Sequence, residues 1–244
     1  MRNLKLILQY DGTNYHGFQI QPTVVTVAGE LNRVLTSLTK SPVTVQGCSR
    51  TDAGVHAYRY CCNFHTEFPI PAERLPIVLN NMLPADIRAI ECTEVDDQFN
   101  ARFDTVSKTY RYVINTSSQC TVYTRNYEWQ YSKPLDIEAM RAAAEHIVGE
   151  HDFKSFMTSG AQVTSTVRKV FLLDIVQNGD KTEIFISADG YLYNMVRIIT
   201  GTLVYVGEGR IAPDDVQKII QGKDRALAGP TAPPQGLYLY QIVY

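Results

Sequence analysis

The segment QGCSRTDAGVHA, residues 46–57, carries the residues best suited to chemistry in this chain. Asp52 lies between two glycines, which predict a turn or loop that presents the carboxylate. Arg50 is two residues away, so in extended backbone both side chains share one face. A cation there lowers the pKa of the carboxylate and keeps it ionised, as a nucleophile or base requires. The alternatives are a backbone cap for Asp52 and a surface ion pair for Arg50.

Aromatic and basic residues alternate in KTYRY, residues 108–112. The pattern places Tyr110 and Tyr112 on one face, with Lys108 and Arg111 interleaved. Rings stack on bases and cations meet phosphates, so this alternation is typical of a nucleic-acid surface. It is equally typical of a half-buried strand whose tyrosines pack in a core.

Arg197 lies within the apolar helical segment DGYLYNMVRIITG, residues 189–201. A buried arginine needs a carboxylate partner, and Asp52 is the candidate if the fold brings the two together. The alternative is an arginine at the edge of the apolar face that reaches water. His56 could carry protons, but a lone histidine beside a strand is more often structural.

The composition is that of a folded globular protein: 244 residues, 45% apolar and 20% charged. No apolar run is long enough to span a membrane, and the N-terminus lacks a signal peptide, so we expect a cytoplasmic protein. Five cysteines without a CxxC pair and scattered histidines predict neither disulfides nor a metal site. The net charge of −2 argues against a generally basic surface but leaves 23 Lys and Arg for a local patch.

The elements that must position these residues follow from periodicity. In the first half, alternation and helical spacing predict the order strand, helix, strand, strand, helix, strand, which is a split βαβ unit. The predicted bounds are 4–10, 26–40, 43–46, 57–64, 71–82 and 87–95.

The second half predicts a similar arrangement. Asn178-Gly179 is the strongest hairpin signal in the chain. We expect an α+β fold of two subdomains, 1–105 with the Asp52 loop and 106–244 completing a cleft, that share one continuous, largely antiparallel sheet. The predicted strands are 108–115, 167–177, 182–187 and 237–243, and the predicted helices are 136–148, 191–206 and 214–221.

RTDAGVHA, residues 50–57, resembles the signature of the A-type tRNA pseudouridine synthases, which isomerise uridines in the anticodon stem and loop of tRNA. Further family-like pieces stand in the same order as in that family, so the resemblance covers nearly the whole chain. These pieces are LQYDGTNYHGFQIQ, FNARFDTVSKTYRY, EHDFKSF, DGYLYNMVRIITGTL and GPTAPPQGLYL.

The resemblance implies a role for each matching residue. Asp52 resembles the catalytic aspartate and Arg50 its neighbouring arginine. Tyr110 resembles the tyrosine that stacks on the target uracil. Arg197 resembles the arginine that pairs with the aspartate, and Leu237 lies in the piece that lines the pocket.

The resemblance also implies a pseudouridine synthase fold with ferredoxin-like halves, an enzyme without a cofactor, and a homodimer that binds tRNA across both subunits. Two positions depart from the family pattern: Asn100 stands where His is expected and Ala28 where Gln is expected. These departures bear on RNA contacts and touch none of the catalytic positions.

The chemistry implied is isomerisation of uridine at tRNA positions 38, 39 and 40, begun by Asp52. One rival is a nucleoside hydrolase, although such enzymes generally use a second nearby carboxylate. Another rival is a non-catalytic RNA-binding module. For an RNA substrate we expect the positive charge to gather in one cleft lined by Arg50, Arg59, Arg102, Lys108, Arg111, Arg168, Lys169 and Arg197.

Overall fold

The chain divides into two compact units. The first unit comprises residues 1–106 and 238–244, and the second comprises residues 107–237. The sequence-based division assigned 238–244 to the second subdomain. Those residues belong to the first unit because the last strand pairs in parallel with a strand there. The structure, a computed structural model, describes residues 1–119, 121–158, 160 and 163–244.

The elements follow one another along the chain with these bounds. In residues 1–106 they are β1 (Arg2–Tyr10), α1 (Val27–Thr39), β2 (Gln46–Gly47), β3 (His56–Thr66), α2 (Leu75–Asn80) and β4 (Ile87–Val95). After them come β5 (Ser107–Asn115), β6 (Trp129–Gln130), α3 (Ile137–Glu145), β7 (Gly149–Asp152), β8 (Val167–Asn178), β9 (Lys181–Ala188), α4 (Met195–Gly207), α5 (Asp215–Gly222) and β10 (Leu237–Val243).

The first unit has the predicted split βαβ arrangement. Its sheet has the order β4-β1-β3, with β2 and β10 pairing with different parts of β3. The β1, β2 and β4 pairings are antiparallel. Alternating burial along β1 confirms the predicted core face, since Leu4, Leu6 and Leu8 are fully buried. Helix α1 is also confirmed, and the hydroxyl of Thr26 caps it by accepting a hydrogen bond from Gly29 N–H.

The predicted strand at 43–46 is wrong apart from its last residue. Val43 and Val45 are buried, as the alternation suggested. However, their backbone N–H groups donate to the side chains of Thr36 (3.1 Å) and Asn32 (3.0 Å) on α1. Because helix side chains satisfy these donors, the segment needs no neighbouring strand to pair with.

The predicted helix at 71–82 is interrupted. Residues Ala72–Arg74 form a single 3₁₀ turn, and α2 begins only at Leu75. Pro76 lies in the first turn of α2, where the missing N–H costs nothing because that donor has no partner within a helix.

The second unit has the sheet order β5-β9-β8-β7, all antiparallel, with the short β6 parallel to β5. Helix α3 contacts α4 and β8. The predicted hairpin forms between β8 and β9, but its two loop residues are Gly179 and Asp180, since Asn178 pairs with Lys181. Gly179 has φ +58° and occupies the first loop position, which type II′ turns reserve for glycine. The predicted α+β class is thus confirmed.

Helix α4 begins four residues later than periodicity predicts. Asn194 adopts a left-handed conformation (φ 61°) immediately before Met195, so the helix cannot extend back through it. Residues 191–194 instead form a connection with side-chain contacts of their own. The Tyr191 hydroxyl, for example, donates to the carbonyls of Lys108 and Ile186, both at 2.8 Å.

Glu128 is a buried carboxylate at the centre of a polar cluster in the second unit. It accepts hydrogen bonds from Asn115 (2.7 Å) and Gln130 (2.6 Å), and Lys181 lies 2.9 Å away. Burial alone raises the pKa of Glu128, but bonds from Thr124, Asn115 and Lys181 outweigh burial and lower it. The carboxylate is therefore held ionised inside the fold.

The described cysteines are Cys48, Cys61, Cys62 and Cys92, and each is buried and belongs to no disulfide. The fifth cysteine, Cys120, lies outside the described residues. Among the described residues, none of the helices combines the length and hydrophobicity that crossing a bilayer requires.

Candidate active site

Asp52 lies at the start of a tight turn that connects the short β2 region to β3. The backbone N–H of Val55 donates to the Asp52 carbonyl at 3.2 Å, and Gly54 between them has φ 77°. A turn that requires positive φ at its third residue favours glycine there, which is why the sequence reads DAGV. Asp52 itself is half-buried. The predicted loop is therefore confirmed, and its carboxylate is presented from a defined turn.

The Asp52 loop, residues 48–55, is held against the loop that follows β1. Gly54 N–H donates to the Tyr15 carbonyl at 3.1 Å. A Cβ atom on Gly12 would lie 2.0 Å from the Val55 carbonyl oxygen, and one on Gly17 would lie 2.2 Å from the Thr51 carbonyl oxygen. Only glycine permits backbones to approach this closely. These glycines therefore set the position of the loop.

Buried hydroxyl groups fix the other side of the Asp52 loop. The Tyr10 and Thr51 hydroxyls are 2.9 Å apart in a buried hydrogen bond. The Tyr60 hydroxyl donates to the Ser49 carbonyl and accepts from the Ser49 N–H. Burial raises the pKa of Tyr60 well above its usual value, so the phenol stays neutral and remains able to donate.

His56 has a structural contact next to the Asp52 loop. It is buried and stacks on Tyr238 with ring centroids 4.8 Å apart. Its Nδ1 lies 3.0 Å from the Gly12 N–H and 3.1 Å from an Asp11 carboxylate oxygen. These two contacts make opposite demands, since Nδ1 must be unprotonated to accept from Gly12 and protonated to donate to Asp11. The backbone N–H can only donate, so we assign Nδ1 as its acceptor, which favours the structural interpretation of His56.

Arg50 is exposed, and within the described part of the chain its guanidinium makes no hydrogen bond or ion pair. The close pairing with Asp52 that the two-residue spacing suggested is therefore not formed in this conformation. The spacing argument assumes extended backbone, whereas the chain turns at Asp52. Arg50 instead lines a surface cavity with residues of the segments around 18–20, 44–49 and 100–103.

Tyr110 and Tyr112 point into the second unit from the same face of β5, and both are buried. The Tyr110 ring meets the Tyr191 ring edge to face, with centroids 5.0 Å apart and planes at 89°. The Tyr112 hydroxyl donates to the Pro233 carbonyl at 2.7 Å. Tyr112 is therefore a core residue. The Tyr110 ring is held beside Tyr191 by their edge-to-face contact.

Arg197 is half-buried on α4 and anchors a distant segment of the chain. Its Nε donates to the Ala232 carbonyl at 2.7 Å, and its terminal nitrogen donates to the Asn194 side chain at 2.7 Å. The Ala232 N–H returns a bond to the Arg197 carbonyl at 3.1 Å. A Cβ on Gly201 would lie 1.8 Å from the Pro230 carbonyl oxygen, so this segment lies directly on the helix.

Leu237 is buried where β10 begins, directly after the 3₁₀ turn Pro234–Gly236. A Cβ on Gly236 would lie 2.7 Å from the Tyr112 ring, so glycine is required for this close approach. The Arg197 contact with Ala232 and the Tyr112 contact with Pro233 thus fix the residues that lead to Leu237.

Several cations predicted to face RNA are already paired inside their own unit. Arg59 lies 3.2 Å from Glu91, and Arg111 makes a bidentate ion pair with Glu183. Arg168 donates to nearby backbone carbonyls. The carboxylate partners of Arg59 and Arg111 reduce the charge that these two residues offer to a ligand. Among the described residues, no three potential ligand side chains are grouped in a way that could hold a metal ion.

The contacts of Gly12 and Gly17, which fix the position of the Asp52 loop, were not predicted from the sequence. The available signal was the presence of two glycines in YDGTNYHG, because a single turn requires only one. Asn194 and Ala232 were likewise not predicted as partners of Arg197. Ala232 accepts through its backbone carbonyl, a group present at every position, so its residue type gives no signal of that role. Asn194 accepts through its side-chain oxygen, three residues before Arg197.

The fold and the site together define an α+β protein that presents one half-buried carboxylate from a glycine-bounded turn, with buried tyrosines and an anchored arginine in its second unit. A family model described as tRNA pseudouridine synthase matches residues 6–104 and 143–244. The chain is 49% identical to tRNA pseudouridine synthase A of Thermoanaerobacter sp. (strain X514) and 46% identical to that of Clostridium acetobutylicum, each over the whole of both chains. The chain therefore belongs to the tRNA pseudouridine synthase family.

The solved structures that resemble the chain include a Cbf5-Nop10-Gar1 complex and an archaeal box H/ACA sRNP Nop10-Cbf5 complex. The first has a TM-score of 0.38 at 9% identity, and the second 0.39 at 11% identity. The alignments cover 82% and 90% of this chain. They span 45% and 61% of the chains in those structures.

Proposed function

We propose that this protein isomerises uridine to pseudouridine in the anticodon arm of tRNA, at positions 38, 39 and 40. The observation that carries the proposal is Asp52, a half-buried carboxylate on a turn held in place by Gly54 and by the loop after β1. Family membership and full-length relatives named tRNA pseudouridine synthase A support the substrate class. The two rival functions, a nucleoside hydrolase and a non-catalytic RNA-binding module, do not account for those relatives.

The reaction needs one reactive carboxylate. The bond between ribose C1′ and N1 of uracil breaks, the uracil rotates, and C1′ joins C5. The proton on C5 is released, N1 gains a proton, and nothing is oxidised or hydrolysed. Asp52 starts this sequence by attacking the sugar or the base, or by removing a ribose proton.

The remaining residues are proposed to support Asp52 and the base. A target uridine must leave its stack to reach the carboxylate, and the Tyr110 ring replaces the stacking that it loses. Arg197 pairs with Asp52 and keeps it ionised, while Leu237 lines the pocket for the uracil. Arg50 contributes positive charge to bound RNA. The anchored position of Arg197 supports this assignment, since a guanidinium held by Ala232 and Asn194 loses little entropy on pairing.

The test uses tRNA transcripts that carry tritium at C5 of uridine. A synthase releases tritium and leaves the chain intact, a hydrolase frees uracil, and a binding module does neither. Asp52→Asn should lower the rate at least a thousandfold while tRNA binding persists. The matched control is Asp97→Asn, an exposed aspartate in the same unit, which should leave the rate unchanged. Full activity in Asp52→Asn would end the proposal.

Tyr110 and the target positions are tested separately. Tyr110→Phe keeps the ring and removes the hydroxyl, whereas Tyr110→Leu removes both. Loss of activity only in the leucine variant would assign the role to stacking, and equal loss in both would assign it to the hydroxyl. Transcripts in which U38, U39 or U40 alone is retained report which positions are accepted.

We further propose a cytoplasmic homodimer that binds tRNA across both subunits and needs no cofactor. A single chain has a net charge of −2, so combining two basic surfaces would strengthen RNA binding. Light scattering of the purified protein measures the mass in solution. A monomer that retains full activity would refute the dimer requirement.

A further inference from the structure

A cavity of about 410 Å³ opens on the first unit beside the Asp52 loop. Asp52 is not among the residues that line it, although Ser49 and Arg50 of the Asp52 loop are. Its lining includes Phe18, Ile20, Arg50, Asn100, Arg102 and Phe103.

The cavity combines a buried aromatic floor with an exposed apolar rim. Phe18 is buried and stacks on Tyr60, with ring centroids 4.1 Å apart and planes 20° from parallel. Phe103 and Ile20, in contrast, are 75% and 52% exposed. Large apolar side chains left in water at the edge of a cavity mark a binding surface. The exposed Phe103 ring is an aromatic face of the kind on which an unstacked base of any sequence stacks.

The charged residues that line the cavity are all positive. Arg50 and Arg102 are the charged residues that line the cavity, and no carboxylate accompanies them. Within the described part of the chain, neither guanidinium has an ion-pair partner, and that of Arg102 lies 5.3 Å from the Phe103 ring centroid. Two unneutralised guanidiniums beside aromatic rings fit a phosphate attached to a planar base.

The rim that carries Arg102 and Phe103 is built by Asn100. The Asn100 side-chain oxygen accepts from the N–H groups of Arg102 (3.0 Å) and Phe103 (3.4 Å). Its amide nitrogen donates to Gln46 across the cavity at 2.6 Å. Asn100 therefore fixes the loop that presents both side chains, so the cavity is formed before any ligand binds.

We propose that this cavity binds one unstacked nucleotide of the RNA substrate, immediately next to the target uridine, with its base against the exposed Phe103 ring and its phosphate between Arg50 and Arg102. The inference rests on the proposed function for the identity of the RNA. Arg50 lies two positions before Asp52, so their Cα atoms are at most about 7 Å apart. A nucleotide held at Arg50 is therefore close to one whose ribose meets Asp52, and the size of the cavity suits a ligand of nucleotide dimensions.

The base contact is tested with tRNA transcripts in which the nucleotide on the 5′ or 3′ side of the target uridine is made abasic. For the unaltered protein, one of these changes should weaken binding by roughly 5- to 100-fold, the range for loss of one stacked base. Phe103→Ala should weaken binding of the intact transcript by a similar factor and then show no further loss with the abasic one. Independent, additive losses would refute contact between that base and Phe103.

The matched control is Ile77→Ala, which removes another exposed apolar side chain of the first unit, 66% exposed on α2. It should leave binding of both transcripts unchanged. Urea unfolding of both variants checks that they fold, and the exposure of both side chains predicts nearly unchanged midpoints. If Ile77→Ala weakened binding as much as Phe103→Ala, the cavity would have no special role.

The phosphate contact is tested by the salt dependence of binding. Arg102→Gln should reduce the slope of log K against log salt by about 0.7, the value for one phosphate of a single strand. Arg102→Lys should retain the slope. The control Arg74→Gln changes an exposed arginine of the same unit that lies outside the cavity, and its slope should equal that of the unaltered protein. An unchanged slope in Arg102→Gln would refute the phosphate contact.

These outcomes separate the two proposals. Tritium release by the unaltered protein reports the proposed function without involving the cavity. Coupling between Phe103 and one neighbouring base reports the cavity through binding alone. Activity without coupling would overturn only the cavity, and coupling without tritium release would overturn only the catalytic proposal.

Discussion

The close approach of Gly17 to the Asp52 loop leads to a prediction that links backbone geometry to rate. Gly17 has φ 83°, and a Cβ there would lie 2.2 Å from the Thr51 carbonyl oxygen. Real Cβ contacts are essentially never below 3.0 Å, so in Gly17→Ala one of the two loops must move by about 1 Å. A displacement of that size at a reacting group costs on the order of 100-fold in rate. We expect Gly17→Ala to lower kcat for tritium release by about that factor.

The control for Gly17→Ala is Gly179→Ala in the β8–β9 hairpin. Gly179 also has positive φ (58°), but a Cβ there would meet no atom within 4 Å. Both variants therefore carry the backbone strain of alanine in the left-handed region, about 1–2 kcal/mol, and only Gly17→Ala adds the clash. The clash should add a further ~1–3 kcal/mol of destabilisation.

The assay combines urea unfolding with single-turnover tritium release on saturating tRNA. Gly179→Ala should lose stability and keep kcat within about threefold, because its hairpin lies far along the chain from Asp52 and carries no proposed role. If Gly17→Ala kept a kcat equal to that of Gly179→Ala while remaining folded, the close approach would not position the carboxylate. The reasoning from the glycine contacts would then be refuted.

Three further changes test other contacts. Thr51→Val removes the buried hydrogen bond to the Tyr10 hydroxyl and should lower the free energy of unfolding by about 1 kcal/mol in urea titrations. Gly201→Ala places a Cβ 1.8 Å from the Pro230 carbonyl oxygen, so it should displace the segment anchored to α4 and lower both thermal stability and kcat. Glu128 has a lowered folded pKa, so its stabilising contribution is complete above its unfolded value and is lost as pH falls through the folded pKa. The stability of the unaltered protein should therefore fall more steeply than that of Glu128→Gln in melts carried out below about pH 4.5, and parallel curves would contradict this assignment.

The local sequence predicts the regular elements well where a repeat of two or 3.6 residues coincides with a cap or turn residue. Strands β1, β4 and β5 and helix α1 follow from such patterns, and the Thr26 cap even sets the start of α1. The pattern fails at 43–46, where burial alternates as in a strand but the N–H groups bond to α1 side chains. Alternation reports burial, whereas strand pairing depends on which partner lies alongside.

The candidate site shows the same difference between features set by local sequence and features set by distant partners. The motif around Asp52 and its glycine turn are local, so residue types and spacing suffice to predict a presented carboxylate. The prediction that Arg50 shares a face with Asp52 assumed extended backbone, but the chain turns at Asp52. Arg50 instead lines a cavity with Arg102 and Phe103. Likewise, the partners of Arg197 include a carbonyl 35 residues away.

The sequence by itself therefore determined the class of the fold, the family resemblance, and Asp52 as the residue to test first. Only the tertiary structure decided how the Asp52 loop is held, with Gly12 and Gly17 touching its backbone, and which tyrosine hydroxyls lock it. Turn propensity and periodicity act between near neighbours and leave a pattern in the residue types. Close backbone approach and carbonyl partners act between distant segments through groups that every residue carries, so they leave no such pattern.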